Sequence, residues 1–164
     1  MKTPRKCFSC ESGTIRLASL KGRSFDYRDE FALVFDEKVE APICDSCGEL
    51  FLRGGLTAQF EAVLERLRAE RKRTIVKKFI SVSERDFPDV PRALWEDALG
   101  VSHGYLSRLV SGKKLPDTSL TILLAGFAKE PKRALELFSV SGHMPQELKR
   151  LTQRAVATRR AARV

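Results

Sequence analysis

Two cysteine pairs with the same internal spacing constrain this chain more than any other feature. Two residues separate Cys7 from Cys10, two separate Cys44 from Cys47, and 33 residues lie between the pairs. Each pair can form a turn that points both thiolates at one ion, and two such turns complete a tetrahedral four-sulfur site. A segment of about fifty residues with few large apolar side chains buries too little surface to fold alone. The spacing therefore predicts a metal-stabilised N-terminal domain.

Zinc is the expected ion, with one Zn²⁺ per chain, because four cysteines are a common zinc ligand set. Its role is expected to be structural, because four protein sulfurs leave no position open for water. A redox dithiol usually follows a strand and opens a helix in a βαβ context, which this sequence lacks, and it needs no second pair. Iron bound as in rubredoxin remains chemically possible with four thiolates. A basic C-terminal part is unusual for an electron carrier, which favours zinc over iron.

The charge of the chain is concentrated in its C-terminal part. The 164 residues include 30 Lys or Arg and 21 Asp or Glu, a net charge of +9. Residues 1–60 are neutral overall, with nine of each sign, so residues 61–164 carry the whole excess. Such a distribution indicates that the C-terminal part contacts a polyanion.

Hydropathy gives no sign of a membrane protein. The longest apolar run, residues 120–128, is too short to cross a bilayer. The basic N-terminus is not followed by the apolar segment of a secretory signal. We therefore expect a cytoplasmic protein with no membrane contact, in a reducing compartment where cysteines bind metal more often than they form disulfides.

The periodicity of apolar residues divides the chain into four parts. Residues 1–56 alternate in strand fashion at 14–17 and 31–35, which predicts a small β-rich zinc-binding domain. Residues 57–73 have helical periodicity and predict a linker helix capped by Thr57. Residues 74–140 read as five short helices, and residues 141–164 as a basic tail that is helical or frayed. The resulting fold class is α+β, with the β-rich domain joined by a helix to an all-α domain.

The predicted short helices begin and end at turn and cap residues. The first covers residues 75–80, the second residues 91–99, and the third runs from Ser102 through Val110. The fourth is capped by Thr118 or Ser119, and the fifth begins at Pro131. The second and third, with Gly100 between them, have the pattern of a helix-turn-helix motif. Five apolar residues occupy the positions that must pack inward in such a motif: Trp95, Leu99, Val101, Leu106 and Leu109. Glu96 is unexpected, since these motifs usually have a small residue there.

In a helix-turn-helix motif the second of the two helices enters the major groove of DNA by its N-terminal end. Base or phosphate contacts are therefore expected from Ser102, His103, Gly104, Ser107 and Arg108. Arg108 is the candidate for reading guanine, because a guanidinium can donate two hydrogen bonds to that base. Lys113 and Lys114 follow in a loop and are expected to meet backbone phosphates.

Together these residues resemble a known family. The chain is similar to the YgiT-type zinc-finger antitoxins of the MqsA family. The shared features are the cysteine pairs at Cys7 and Cys44, a connecting helix, and an Xre-like helix-turn-helix with the 106–108 Leu-Ser-Arg segment and the loop from Gly112 to Pro116. The resemblance covers most of residues 5–138. Gly104 departs from the family's best-known member, which has asparagine at that position, so the operator sequence is not predicted.

The resemblance implies a homodimer that represses its own operon by binding an inverted repeat of double-stranded DNA, with an N-terminal domain that binds a ribonuclease-type toxin. The acidic residues from Asp26 to Glu40 could contact this partner if its surface is basic. The alternative is a stand-alone transcriptional regulator without a toxin. An enzyme is not expected, because the sequence has no nucleophile–base arrangement, no phosphate-binding glycine loop and no open metal site.

Overall fold

A computed structural model describes residues 5–140, 142 and 144–161, with side chains to residue 158. The chain forms two compact units, Met1–Ala69 and Glu70–Val164. The fold is α+β, with a small antiparallel sheet in the N-terminal part and helices after it. None of the helices in the described residues is both long and apolar enough to cross a membrane.

The described residues of the first unit form five short strands. They are β1 (Arg5–Lys6), β2 (Thr14–Ser19), β3 (Ser24–Tyr27), β4 (Glu30–Val34) and β5 (Glu40–Cys44). β1, β2 and β5 form a three-stranded antiparallel sheet in that order, while β3 and β4 form a separate hairpin. The two predicted strands correspond to β2 and β4. The other three went unpredicted because they are short and lack regular alternation.

The core of the first unit is small. Its buried residues are Leu20, Leu33, Phe35, Val39, Ala41, Ile43, Val63 and Leu64. Phe35 stacks on Phe60 with ring centroids 5.5 Å apart, and Phe25 meets Phe60 edge-on at 5.0 Å. A core of this size agrees with the expectation that the unit needs a further source of folding free energy.

The helix that follows is longer than predicted. α1 runs from Gly55 to Asp86 without a break and contributes residues to both units. The predicted end of a linker helix at residue 73 and the separate helix at 75–80 are therefore wrong, as is the cap at Thr57. The segment between Arg68 and Thr74 contains good helix formers and no Gly or Pro, so nothing interrupts the backbone hydrogen bonds.

The described residues of the second unit form the rest of α1 and five further helices. They are α2 (Arg92–Ala98), α3 (Tyr105–Val110), α4 (Thr118–Lys129), α5 (Pro131–Val140) and α6 (Gln146–Ala161). Trp95 lies among three phenylalanines, with ring centroids 5.0–6.0 Å away, namely Phe79, Phe87 and Phe127. Leu148 of α6 is also fully buried in this core. The C-terminal segment predicted as a tail is thus partly a core element, although residues 141, 143 and 162–164 lie outside the described residues.

Two helix caps differ from the predictions. Ser102 does not cap α3, whose N-cap residue is Gly104 in the left-handed conformation with φ 74°. α4 is capped by Asp117, whose carboxylate accepts a hydrogen bond of 2.8 Å from the amide of Leu120, and not by Thr118 or Ser119. Asp is as favourable a cap as Ser, so three consecutive candidates could not be ranked by residue type.

Candidate metal centre and candidate nucleic-acid surface

The four cysteines lie together at one end of the small sheet. Cys7 directly follows β1, and Cys44 ends β5, two strands that both pair with β2. The sulfur of Cys7 lies 3.8 Å from that of Cys47, and the sulfur of Cys10 lies 3.6 Å from that of Cys44. All four sulfurs lie within 4.8 Å of one another. The predicted grouping is confirmed, and the cluster could hold a metal ion.

The backbone around the cluster is shaped for these sulfurs. The amides of Ser46 and Cys47 lie 3.4 and 3.5 Å from the sulfur of Cys44, as donors to it. A Cβ atom at Gly13 would lie 2.3 Å from the same sulfur, so no other residue fits there. Sequence reasoning missed Gly13, because its role depends on a strand that is distant in sequence.

The spacing and the donor set fit a four-coordinate ion. Four sulfurs at about 2.3 Å from a central ion are about 3.8 Å apart in a tetrahedron, which matches the Cys7–Cys47 and Cys10–Cys44 separations. At these distances the cysteines are free thiols and form no disulfide. With four sulfur donors, the centre suits a soft or borderline metal.

The thiols perturb one another's acidity. A hydrogen bond from the Ser12 side chain is the main cause that lowers the pKa of Cys10 to about 6. The backbone of Glu49 lowers the pKa of Cys47, but desolvation and the other three thiols outweigh it and raise the pKa to about 12. Closely spaced thiolates repel one another. A bound cation removes that repulsion and allows all four cysteines to ionise.

Several acidic residues of the first unit form ion pairs with arginines of α1. Asp29 accepts a hydrogen bond of 2.6 Å from Arg68, and Arg66 pairs with both Asp36 and Glu37. The Arg66 side chain holds the pKa of Asp36 below its usual value. Three of the six acidic residues expected to face a basic partner are therefore paired with arginines of α1.

The predicted nucleic-acid contacts lie at and around α3. Ser102, His103, Ser107, Lys113 and Lys114 are exposed, whereas Gly104 and Arg108 are half-buried. The expected burial of five apolar residues is confirmed, since Trp95, Leu106 and Leu109 are buried and Leu99 and Val101 pack against the same core. His103 is 3.4 Å from the exposed carboxylate of Asp97.

Arg108 is held close to the surface of α3. Its Nη2 atom donates to the Ser102 hydroxyl at 3.1 Å, and its guanidinium lies 5.7 Å from the centroid of the Tyr105 ring. The ammonium of Lys114 is also 5.7 Å from that ring. Within the described part of the chain, the buried Nε atom of Arg108 has no hydrogen-bond partner. Ser102 and Tyr105 thus orient a guanidinium with spare donors.

Glu96 has a role that the sequence did not reveal. Its side chain is buried, and its two carboxylate oxygens accept hydrogen bonds of 2.8 Å from the amides of Gly104 and Leu106. These amides belong to the first turn of α3, where backbone donors have no partner within the helix. The unexpected acidic residue therefore anchors the N-terminal end of α3 to α2.

Lys72 anchors the loop after α3. Its side chain is fully buried, and its Nζ atom donates to the carbonyl of Pro116 at 3.0 Å. This bond attaches the loop with Lys113 and Lys114 to α1. The sequence gives no sign of this burial, because a lysine in a run of basic residues is usually exposed.

The chain matches no known protein-family model and no curated protein. The chemistry of the cysteine cluster and of the α3 region is therefore the basis for assigning its function.

Proposed function

We propose that this protein is a cytoplasmic, dimeric, sequence-specific DNA-binding repressor with a structural zinc ion in its first unit. The observation that carries the proposal is the α2–turn–α3 arrangement, in which Glu96 anchors a short helix whose exposed side is flanked by cations. The excess of positive charge in residues 61–164 supports a polyanionic partner.

Zinc is supported by the donor set of the cluster. Four cysteines with tetrahedral spacing are typical of structural zinc sites, and they leave no open position for a substrate or water. The ion adds folding free energy to a unit whose core is small. Cys7, Cys10, Cys44 and Cys47 would hold it.

The α3 region would read DNA in the manner of Xre-like helix-turn-helix proteins. α3 would enter the major groove by its N-terminal end, with Arg108 directed at a base and Lys113 and Lys114 at phosphates. Two copies related by a two-fold axis would place two such helices about one DNA turn apart. The expected operator is therefore an inverted repeat.

Replacing Arg108 with alanine is expected to cost about 1–3 kcal/mol in operator binding and to relax specificity at one base. Lys113→Ala should instead weaken binding to all sequences alike, because a phosphate contact carries no base information. The two variants are compared by sequence selection from a random duplex library, followed by titration of selected and random duplexes. An equal loss for Arg108→Ala on both kinds of duplex would contradict the base-reading role.

A toxin-binding role of the first unit is a second candidate. The unit has a cleft of about 340 Å³ lined by Arg5, Phe8, Ile15, Pro42, Phe51, Arg53 and Leu56. Phe8 is 65% exposed and meets Phe51 edge-on at 4.8 Å. Exposed aromatic side chains beside arginines are common at the centres of protein interfaces.

Capture of a ribonuclease-type toxin from the native host by the tagged full-length protein tests this candidate. Phe8→Ser should lose the toxin, whereas Leu137→Ser, which removes a similarly exposed apolar side chain of α5, should keep it. Recovery of specific DNA without any toxin would identify a stand-alone regulator.

A further inference from the structure

A second cationic site lies in the Glu70–Val164 unit, where α1 passes the C-terminal end of α3. A cleft of about 380 Å³ is lined by Arg73, Val76, Lys77, Leu109, Val110, Ser111 and Gly112. Arg73 and Lys77 are four residues apart on α1 and therefore share one face of that helix. The lining contains two cations and no acidic residue.

The guanidinium of Arg73 lies beside Gly112, in the loop that follows α3. A Cβ atom at Gly112 would lie 3.4 Å from Nε and 3.7 Å from Nη2 of Arg73. Gly112 also has φ +73°, a conformation that other residues rarely adopt. The Arg73 guanidinium therefore lies next to the loop at the end of α3.

The charges of this cleft have no internal counterion. In the part of the chain that the structure describes, no acidic side chain pairs with Arg73 or Lys77, and both are exposed. Other arginines of the same helix are paired, such as Arg66 with Asp36 and Arg68 with Asp29. Two cations without a counterion, beside the apolar side chains that line the cleft, favour the binding of an external anion.

The backbone of the cleft offers no further donors. The amides of Ser111 and Gly112 already donate to carbonyls of α3, and the Ser111 hydroxyl donates to the carbonyl of Arg108 at 3.1 Å. An anion would therefore be held by the two side-chain cations alone. Arg provides a planar fork that matches two oxygens of a phosphate, and Lys provides a point charge.

We propose that Arg73 and Lys77 form a phosphate-binding cleft that holds a DNA backbone phosphate next to the groove entered by α3. The inference rests on the proposed DNA binding. Ser107, Val110 and Ser111 share one face of α3 by their spacing, and the last two line the cleft, so the cleft continues the surface expected to face DNA. α1 thereby adds a contact that positions the protein without reading sequence.

The test uses the full-length protein and the double substitution Arg73→Gln with Lys77→Gln. The matched control is Lys78→Gln with Lys129→Gln, which removes two exposed positive charges outside the cleft. Binding to a random-sequence duplex is titrated over a range of salt concentrations. The cleft variant should bind about tenfold more weakly than the control, and its plot of log K against log salt should be shallower by about 1 per chain. Arg73→Lys, tested singly, should keep more of the affinity than Arg73→Gln.

A parallel titration with inorganic phosphate distinguishes the source of the anion. The amide NMR signal of Gly112 should shift on addition of phosphate to the wild type and not to the cleft variant. Equal DNA binding by the cleft variant and the control, without a phosphate-induced shift, would overturn the inference and leave the proposed function intact. Failure of the wild type to bind any duplex would remove the proposed function, and a phosphate-induced shift would then support a cleft for free phosphate.

Discussion

Cys44→Ser is expected to abolish stoichiometric metal binding and to unfold the first unit, while the second unit stays folded. The sulfur of Cys44 is buried, lies 3.6 Å from that of Cys10 and accepts from two backbone amides. A serine hydroxyl does not ionise near neutral pH and is a far weaker ligand than a thiolate, so it would not complete the four-sulfur site. Structural zinc contributes about 10–16 kcal/mol in small zinc-binding peptides, which is comparable to the whole stability of a typical domain, about 5–15 kcal/mol. Chelation of the wild type should have the same effect, reversed by added zinc.

Metal analysis of protein purified without added metal, combined with amide hydrogen exchange, checks this prediction. Zinc at one ion per chain is expected, and iron in its place would correct the proposed cofactor. Ser9→Ala, in the exposed turn between Cys7 and Cys10, serves as the control and should retain the ion. The single tryptophan, Trp95, lies in the second unit, so its fluorescence should not change. Protected amides in a metal-free first unit would show that the core is sufficient without an ion.

Glu96→Ala is expected to destabilise the second unit by about 2–5 kcal/mol. The substitution leaves the amides of Gly104 and Leu106 without acceptors, and each buried unsatisfied group costs about 1–3 kcal/mol. It also frees the N-terminal end of α3, so sequence preference in DNA binding should be lost even at temperatures where the protein remains folded. Urea unfolding followed by Trp95 fluorescence measures the first effect, and duplex selection measures the second.

Asp97→Ala is the matched control for Glu96. It removes the same charge from the next position of α2, where the carboxylate is exposed and, among the described residues, makes a surface contact of 3.4 Å with His103. Its effect on stability should be within about 1 kcal/mol. Glu96→Gln should fall between the two, because the amide retains one acceptor oxygen. Equal stability of Glu96→Ala and Asp97→Ala would show that the carboxylate does not anchor α3.

The metal cluster and the inward positions around α3 could be predicted because they depend on local patterns. The Cys-x-x-Cys spacing specifies a turn. Large apolar side chains such as those of Trp95, Leu106 and Leu109 are removed from water when the chain folds, so they are expected in the protein interior. The continuity of α1 was missed for a related reason. The apolar periodicity changes near Thr74 because a different side of the helix is buried from there on. Such a change does not break the helix, which continues to Asp86.

The positions of the charged residues could not be predicted in this way. Glutamate and lysine side chains are ordinarily solvated, yet Glu96 and Lys72 are buried. Each finds a partner in another part of the chain: Glu96 accepts from the amides at the start of α3, and Lys72 donates to the carbonyl of Pro116. Gly13 likewise matters only because β5 brings a sulfur against it. Residue type and spacing determine which groups must be covered or ligated. Which buried charge meets which backbone group follows from packing between elements far apart in the sequence, since a hydrogen bond requires its two atoms to be within about 3 Å.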